Sequence, residues 1–383
     1  MKQSYALTLF GILCLAIGFF AGFLTHAFAP AFHANFPLLQ EAYLLLRDHG
    51  INPLPAPPAL EYGMIKGMVQ AYGDPFTSFV EPVQTVLESN LLQGSYGGIG
   101  VRLGNDADGH YILYPYPDSP ASKAGVREGD RLLAVGALSI QPGTPLDQIQ
   151  VAIRGPSGKK VSITIGRAPD YLPQVFDVSR QDIPIPSVTW HIDPGKTDLG
   201  VFEVNIIAAS TPDEIQKAVK DLQDRGATHF VMDLRDNGGG LLTAGVDVAR
   251  LFLKDGEVIQ QQYRDQGVET SRVEKPGLLD KLPLAILVNQ NTASAAEIIA
   301  GSLQARHRAV LIGTPTFGKN TIQLVYNLED KSSLHVTAAK WWIPGLEFPK
   351  GDHGLTPDFN IPTDNKDPQL VIKKAIQALY NQP

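Results

Sequence analysis

The feature that most constrains the fold is an alternation of buried strands and helices in the second half of the chain. The apolar runs with the length and composition of buried strands lie at residues 199–207, 230–234, 284–288 and 310–312. The segments between them that have helical character lie at residues 211–226, 241–253 and 294–306. Because strands that alternate with helices form sheets covered by helices, this order predicts an α/β core. With 383 residues, of which 44% are hydrophobic, the protein can fill such a core and one or two further domains.

A second pattern indicates a compact unit of strands with two short helices between residues 95 and 168. An Asp108-Gly109 pair separates two apolar segments, which predicts a β-hairpin. The predicted elements are strands at 97–103, 110–116 and 161–165, a short helix and a buried strand within 119–136, and a helix that begins near Thr144.

This unit resembles a PDZ domain of the kind found in extracytoplasmic proteases. The resemblance implies a carboxylate-binding loop at Gly98, Ile99, Gly100 and Val101. In such a loop, backbone N–H groups and an apolar pocket receive the C-terminus of a polypeptide while the tail adds as a strand to a sheet edge. The alternative is that these glycines only form a turn. A PDZ domain at 95–168 makes the C-terminal tails of proteins or peptides the expected partners.

The N-terminal residues from Leu7 to Phe28 form an apolar run without a formal charge. As a helix, this run would be about 33 Å long, close to the thickness of the hydrocarbon core of a bilayer. We therefore predict one N-terminal transmembrane helix, within a membrane anchor or signal segment at residues 1–29. Because Lys2 is the only charge before the run, the bulk of the protein is expected on the extracytoplasmic side.

A cleaved signal peptide is the alternative for the same residues, because Ala27-Phe28-Ala29 has the pattern of a cleavage site. The apolar run exceeds the usual h-region of about 7 to 15 residues, and Pro30 would follow the cut, so an uncleaved anchor is favoured. A retained segment leaves the protein membrane-anchored, with its bulk periplasmic or at the cell surface. A cleaved segment would make the protein secreted.

The other divisions of the chain follow from composition and spacing. Residues 30–59 are rich in proline and form a predicted stalk, with a short helical segment at 38–47. Residues 60–94 are expected to be helical, because apolar residues recur at helical spacing between 62 and 72. A C-terminal helix is predicted at 364–383.

Composition excludes several classes of chemistry. The sequence has one cysteine, Cys14, in the apolar run, which argues against an intramolecular disulfide, a multi-cysteine zinc site or a thiol peptidase. The net charge is −7, so the protein lacks the excess of basic residues that nucleic-acid binding needs, and no nucleic-acid partner is expected. The nine histidines are scattered without an H-E-x-x-H motif, so no metal and no cofactor are predicted.

Two glycine-rich segments resemble nucleotide sites but fail on their context. Residues 313–320 nearly match the phosphate-binding loop, but Asn320 stands in place of the residue whose hydroxyl binds Mg²⁺. The segment that follows is rich in β-forming residues, where a phosphate-binding loop requires a helix. Residues 238–240 lack the third glycine of a dinucleotide fingerprint, because Thr243 occupies that place. No nucleotide is therefore expected.

A serine and a lysine in the α/β region are the candidate catalytic pair. Ser294 stands at a strand-to-helix turn, where its hydroxyl is exposed and the Ala295 N–H points out of the positive end of the helix. Lys319 lies in a glycine turn after the next strand, and Gln323, four residues on, is expected on the same side. The alternative for Ser294 is a simple helix N-cap.

A lysine can act as a general base only if its pKa falls from about 10.4 toward 7. A shift of that size corresponds to about 4 kcal/mol. Desolvation among apolar residues such as Phe317 and Leu324 can supply it.

Four motifs together resemble those of the carboxyl-terminal processing (tail-specific) serine peptidases. The motifs are Asp233–Gly240, Thr292–Glu297, Thr316–Lys319 with Gln323, and Gly354–Asp358. The resemblance covers about residues 60–360 and implies a peptidase catalytic core at 169–363. The fold class expected on this basis is mixed α and β and multidomain. It comprises an α/β crotonase/ClpP-like core with an inserted PDZ domain, a helical N-terminal segment and one N-terminal transmembrane helix.

The same resemblance implies roles for individual residues. Ser294 would be the nucleophile, Lys319 the general base, and Gln323 the group that orients the lysine. The oxyanion hole would use the Ala295 N–H together with a glycine N–H from Gly239 or Gly240.

The sequence departs from the family pattern in two motifs. Where the family often has Asn-Asn-Pro-Gly-Gly, residues 236–240 are Asp-Asn-Gly-Gly-Gly, with Gly238 in place of the proline, and Asn320 stands where glycine is common. Loss of the proline loosens the loop through backbone entropy. The leading hypothesis is an extracytoplasmic serine endopeptidase that binds apolar tails by its PDZ domain and cleaves through an acyl-enzyme. The alternative is a non-catalytic PDZ adaptor that captures protein tails. Membrane contact is expected through the N-terminal helix, and a homo-oligomer is left open.

Overall fold

A computed structural model describes residues 36–346, 354–361 and 370–380. The chain divides into two compact units at residue 68. The helices of the described residues are α1 Pro37–His49, α2 Pro57–Tyr72, α3 Pro82–Gln93, α4 Pro120–Lys123, α5 Leu146–Ile153, α6 Thr211–Asp224, α7 Leu242–Phe252, α8 Ala295–Ala305 and α9 Leu370–Tyr380.

The described residues contain 19 strands, numbered here in the order of the chain. The first nine are β1 Ser78–Val80, β2 Ser95–Gly98, β3 Val101–Asn105, β4 Tyr111–Pro115, β5 Asp130–Val135, β6 Leu138–Ser139, β7 Lys160–Gly166, β8 Pro173–Ser179 and β9 Gln181–Pro184. The later ones are β10 Val188–Asp193, β11 Lys196–Val204, β12 His229–Asp233, β13 Glu257–Tyr263, β14 Val268–Arg272, β15 Leu284–Val288, β16 Val310–Gly313, β17 Thr321–Asn327, β18 Ser333–Trp342 and β19 Phe359–Asn360.

The first compact unit contains α1 and the start of α2. Both helices have a proline in the first turn, where a missing N–H removes no intrahelical hydrogen bond. Neither helix has a buried residue. The helical segment expected at 38–47 and the helical spacing between 62 and 72 both fall within these two helices.

The predicted fold class requires one correction, which concerns the N-terminal transmembrane helix. Within the part of the chain that the structure describes, no helix is long and apolar enough to cross a membrane. The longest of these helices, α2, has 16 residues, whereas a span needs about 20. Residues 7–28, on which the prediction rests, lie outside the described residues, as do Cys14 and the stalk residues before 36.

The α/β core that the sequence predicts is present in the second unit. Its sheet has the strand order β10-β11-β12-β15-β16-β19, in which β10 runs antiparallel to β11 and the other pairs are parallel. Side chains of β12 alternate between two cores: Phe230 and Met232 pack with the residues of α6, α7 and α8, whereas Val231 packs with α9. All five residues of β15 are buried, as expected for a strand covered on both faces.

A second, antiparallel sheet carries the lysine region. Strands β17 and β18 form a hairpin, and β13 pairs with the far end of β18. Strand β1 pairs with the start of β18, with Ser78 opposite His335. Residues 78–80, which fall in the segment predicted to be helical, therefore belong to the sheet that borders the candidate site.

The PDZ unit is a sheet of order β3-β4-β5-β7-β8, with β6 paired to β5, and α4 and α5 packed on it. The turn between β3 and β4 contains the predicted Asp108-Gly109 pair, and Gly109 has φ of 82°. Strand β8 lies past the expected boundary at residue 168. Strand β2 pairs with β9 rather than with the PDZ sheet, because the backbone turns at Gly100, whose φ of 69° ends the extended conformation.

Candidate active site

Ser294 occupies the turn between β15 and α8. Its φ of 55° and ψ of −120° are rare for a residue with a side chain, and such backbone strain costs about 1–3 kcal/mol. Its N–H donates to the Glu297 carboxylate at 2.8 Å. Ser294 is half-buried at the N-terminal end of α8, where the helix dipole favours negative charge.

Lys319 and Gln323 lie together near the start of the β17–β18 hairpin. The Lys319 ammonium donates to Gln323 Oε1 at 2.6 Å. The other end of the same amide, Gln323 Nε2, donates to the carbonyl of Phe76. Lys319 Nζ also lies 5.0 Å from the centre of the Phe76 ring. The spacing of four residues thus places the two side chains in direct contact, although Lys319 is in a loop and Gln323 is on β17.

Burial lowers the pKa of Lys319, whereas the negative charge of Asp74 acts in the opposite direction. A lower pKa increases the neutral fraction of the amine at neutral pH, and only the neutral amine can accept a proton. The direction of the shift is therefore the one that a general base requires.

Glu297 connects the serine turn to the lysine loop. Its side chain is fully buried, and its two oxygens accept four hydrogen bonds. Oε1 accepts from Thr316 Oγ1 at 2.6 Å and from the Gly318 N–H at 2.7 Å. Oε2 accepts from the N–H of Ser294 at 2.8 Å and from the N–H of Lys319 at 3.0 Å. Burial raises the pKa of Glu297, and these hydrogen bonds oppose that rise.

Glu297 belongs to this site by its contacts, and the sequence analysis assigns it no role, although a signal is present. A serine at the start of a helix followed three residues later by a glutamate is the spacing of a capping box. Here the glutamate bonds to the N-cap backbone as that motif requires, and it also reaches the lysine loop.

The glycine loop after β12 lies directly against Ser294. Asn237 is fully buried and pins this loop: its Nδ2 donates to the Val204 carbonyl at 2.6 Å, and its backbone carbonyl accepts from the Ala293 N–H at 2.9 Å. Gly239 has φ of 103°, and a Cβ there would lie 2.9 Å from the Cβ of Ser294. This close approach leaves no room for a side chain at position 239.

The N–H groups that could donate to an oxyanion differ in whether they already have a hydrogen-bond acceptor. The Gly239 N–H donates to Asn237 Oδ1 at 2.8 Å. Within residues 36–346, 354–361 and 370–380, the N–H groups of Gly240 and Ala295 have no hydrogen-bond acceptor. Gly240 is exposed, and a Cβ there would overlap the carbonyl of Ile207.

The fourth motif, Gly354–Asp358, packs against the lysine loop, which is the segment of residues 314–320 between β16 and β17. The Leu355 N–H donates to Thr316 Oγ1 at 2.7 Å, and the Thr316 N–H donates to the Leu355 carbonyl at 3.1 Å. A Cβ at Gly354 would overlap Thr316 and Glu297. Three of the four motifs therefore meet around the buried Glu297 carboxylate, and the first, Asp233–Gly240, lies against Ser294. The loop after Gly313 leads into β17, not into the helix that a phosphate-binding loop requires.

Three of the four residues expected to bind a tail line a groove in the PDZ unit. Gly98 instead ends β2, where it pairs with Gln181. The groove encloses about 200 Å³ between β3 and α5. Its lining residues are Tyr96, Ile99, Gly100, Val101, Arg102, Leu103, Leu146, Gln150, Ile153 and Arg154.

One group of acidic and histidine side chains has the spacing of metal ligands. Asp106, Asp108 and His110 each offer a ligand atom, and these atoms lie within 4.8 Å of one another. The Asp106 carboxylate is already engaged, since it accepts from Arg131 at 2.8 Å and from the His110 N–H at 2.8 Å. These contacts account for the group as part of the β3–β4 turn.

Comparison with known proteins agrees with the geometry. Residues 198–361 match peptidase family S41, and residues 111–167 match the PDZ domain. A carboxyl-terminal-processing protease of Synechocystis sp. is 34% identical over 319 residues, which are 82% of this chain and 72% of that protein. The chain belongs to the carboxyl-terminal-processing proteases of family S41. Their serine chemistry makes it a serine peptidase, and the alternative of a non-catalytic adaptor is not supported.

Two further similarities were found, one to a curated protein and one to a solved structure. The carboxy-terminal processing protease CtpA of Bacillus subtilis is 32% identical over 281 residues, which are 73% of this chain and 59% of that protein. The solved structure of a photosystem II D1 C-terminal processing protease is 29% identical. The match covers 91% of this chain and 92% of that chain, with a TM-score of 0.46.

Proposed function

We propose that this S41 peptidase cleaves peptide bonds with Ser294 as nucleophile, Lys319 as general base and Gln323 as the residue that orients the lysine. The observation that carries the proposal is the shared carboxylate oxygen, Glu297 Oε2, which binds the backbone N–H groups of both Ser294 and Lys319. A nucleophile turn and a base loop held on one oxygen atom have a fixed relative position, as covalent catalysis requires.

The chemistry follows from these positions. Neutral Lys319 takes the proton of the Ser294 hydroxyl as the serine oxygen attacks the substrate carbonyl carbon. The oxygen that becomes negative accepts from the N–H of Ala295 and from a glycine N–H, for which Gly240 is the candidate because the Gly239 N–H is already donated. Protonated Lys319 then gives its proton to the leaving amine, and an ester to Ser294 remains. Lys319 then takes a proton from a water molecule as the water oxygen attacks the ester carbonyl carbon. The bond to Ser294 Oγ breaks, Lys319 returns the proton to that oxygen, and the acid product leaves.

In the proposed mechanism, the observed contacts would be those that exist before proton transfer. Among the described residues, no hydrogen bond joins the Ser294 hydroxyl to Lys319 Nζ, which donates to Gln323 instead. Apo enzymes often have such open catalytic geometry, which tightens in the substrate complex. We propose that Lys319 turns from Gln323 toward Ser294 when substrate is bound.

Covalent labelling tests the nucleophile. A fluorophosphonate probe is expected to add one adduct mass to the peptide that contains Ser294, and the Ser294→Ala variant is expected to add none. Ser302→Ala is the matched control, because Ser302 lies buried on the same helix and its hydroxyl donates to the Ile299 carbonyl. Intact-mass and peptide-mass measurements check this. Labelling of a different serine, or peptidase activity that survives in Ser294→Ala, would contradict the proposal.

We further propose that the PDZ groove binds the C-terminal tails of substrates. Strand β3 is the edge of its sheet, so its outer N–H and C=O groups can pair with an added strand. The walls include apolar Ile99, Val101 and Ile153, which suit apolar tail residues. Arg154 also lines the groove: its guanidinium lies 4.2 Å above the Tyr96 ring and has no acidic partner among the described residues. We assign Arg154 to the tail carboxylate.

Tail binding can be separated from cleavage by a cycle of two changes. Amidation of the tail carboxylate is expected to weaken binding of a tail peptide about 10- to 100-fold, because a charged hydrogen bond is worth about 1.5–3 kcal/mol. In Arg154→Ala, the same amidation is expected to have little effect. Arg127→Ala, an exposed arginine outside the groove, is the control and should behave as wild type. Fluorescence anisotropy measures the four affinities of the cycle and the two of the control variant. Equal losses on amidation with and without Arg154 would refute the assignment.

An extracytoplasmic location is proposed on the sequence alone. The apolar run at 7–28 with a cleavage pattern at its end is of the kind that directs export. An exported peptidase would meet the tails of extracytoplasmic proteins.

A further inference from the structure

We propose that the turn of residues 74–77 forms part of the catalytic lysine site, with Phe76 and Asp74 as positioning residues for Gln323 and Lys319. This turn precedes the PDZ unit in the sequence, whereas the lysine and the glutamine follow it. The inference rests on the proposed role of Lys319 as the general base.

The first observation is the orientation of the Gln323 amide. An amide has one acceptor oxygen and one donor NH₂ group. Gln323 Nε2 donates to the Phe76 carbonyl, and Oε1 accepts from Lys319 Nζ at 2.6 Å. A carbonyl can only accept and an ammonium can only donate, so these partners permit one orientation of the amide. The Phe76 carbonyl thereby directs the oxygen of Gln323 toward the lysine.

The second observation is the aromatic wall beside the lysine. The Phe76 ring centre lies 5.0 Å from Lys319 Nζ and 6.4 Å from the Phe317 ring, which it meets edge to face. The ring takes the place of water near the amine, and its face attracts the protonated form. One residue of the turn thus supplies both a hydrogen bond to Gln323 and a surface against Lys319.

The third observation is the anchor of the turn. Asp74 Oδ2 accepts from the Thr77 N–H at 2.7 Å, from Thr77 Oγ1 at 2.6 Å and from Thr337 Oγ1 at 2.7 Å. Thr337 lies on β18 and is the register partner of Gln323 on β17. Burial by itself would raise the pKa of Asp74, but these hydrogen bonds outweigh it and hold that pKa below its usual value. The carboxylate is therefore ionised, and it fastens the turn beside the residue that Phe76 orients.

The charged groups around the lysine identify what Asp74 contributes. From the turn, Asp74 raises the pKa of Lys319 against the effect of burial. From α8, Glu297 bonds to the Lys319 backbone N–H. From β18, Lys340 is exposed and pairs with Thr321. Removal of the Asp74 charge is therefore expected to lower the Lys319 pKa further, so that the neutral amine persists to lower pH.

The pH profile of acylation by a small chromogenic ester tests the proposal, because a small ester does not need the PDZ groove. In Asp74→Asn, the acid limb of the kcat/KM profile is expected to move to lower pH. In Phe76→Leu and in Thr337→Val, kcat is expected to fall about 10- to 100-fold with KM little changed, because the lysine is misplaced. Glu88→Gln is the control: it neutralises a carboxylate that lies 3.7 Å from His335 on β18 and is not among the groups that shift the pKa of Lys319, so it should leave the profile unchanged.

The outcomes separate this proposal from the proposed function. If Asp74→Asn, Phe76→Leu and Thr337→Val are folded and keep the wild-type rate and pH profile, the turn has no positioning role, and the inference is overturned. A loss of activity that matches a lost folded fraction, with the remaining protein titrating as wild type, also overturns it. Full activity in Lys319→Ala would instead refute the proposed base itself. All three variants test the same contacts of the turn. If one of them does not fold, the other two still decide whether the turn positions the lysine.

Discussion

Replacement of Ser294 by alanine is expected to lower kcat/KM for a tailed protein substrate by at least about 10⁴-fold, because the acyl-enzyme can no longer form. Replacement of Lys319 by alanine is expected to lower it by about 10² to 10⁴-fold, the usual contribution of a general base. Lys319→Arg should be as inactive as the alanine variant, because a guanidinium keeps the charge but cannot become neutral at accessible pH. Steady-state cleavage of the substrate measures all three losses.

Wild-type activity should also have a pH dependence that identifies the base. As the pH falls through the lowered pKa of Lys319, the amine becomes protonated and kcat/KM should fall with it. Lys340→Ala is the control for a lysine in the same sheet, since Lys340 is exposed on β18 and should retain wild-type activity. Activity within tenfold of wild type in either Ser294→Ala or Lys319→Ala would rule out the proposed pair.

The second large effect is expected at Glu297. In Glu297→Gln, the single amide oxygen can serve only one pair of donors, so two of the four donors, which are buried or partly buried, lose their acceptor. Each unsatisfied buried donor costs about 1–3 kcal/mol, so the free energy of unfolding is expected to fall by about 2–6 kcal/mol. In the protein that remains folded, kcat/KM should fall as well, because the serine turn and the lysine loop are no longer held by one oxygen.

Urea unfolding combined with active-site titration separates the two losses at Glu297. Ser302→Ala on the same helix removes one local hydrogen bond and should cost about 1 kcal/mol, with little effect on the rate. A Glu297→Gln variant whose unfolding free energy and rate both match wild type would show that the carboxylate does not join the two segments.

The sequence could predict the parts of this molecule that are governed by local spacing. The strands and helices of the α/β core were located because buried runs such as 284–288 and helical runs such as 294–306 carry their own pattern. Ser294 and Lys319 were selected by the elements around them and by the family motifs, and the family membership is confirmed by the comparisons. Their individual roles stay predictions until the variants are measured.

The parts that could not be predicted depend on contacts between distant residues. Strand β1 has three residues inside a segment of helical character, and its partner, β18, lies near the other end of the sequence. No local pattern indicates that the Phe76 carbonyl binds Gln323, because that contact exists only after the sheet has formed. A local feature can also be missed. The sequence analysis predicts one strand at 97–103, but Gly100, which has a positive φ, divides it into two strands with different partners.

The pairing of β2 with β9 has a consequence for the history of the protein. These strands lead into and out of the PDZ unit, with Ser95 opposite Pro184 and Gly98 opposite Gln181. The two ends of the unit are therefore neighbours, which is the condition under which a domain can be inserted into a host without redirecting it. On this geometry we expect that the PDZ unit can be exchanged for another domain. Another peptide-binding domain with adjacent ends could take its place. The peptidase would then bind different substrates, while the backbone path of its catalytic core stayed the same.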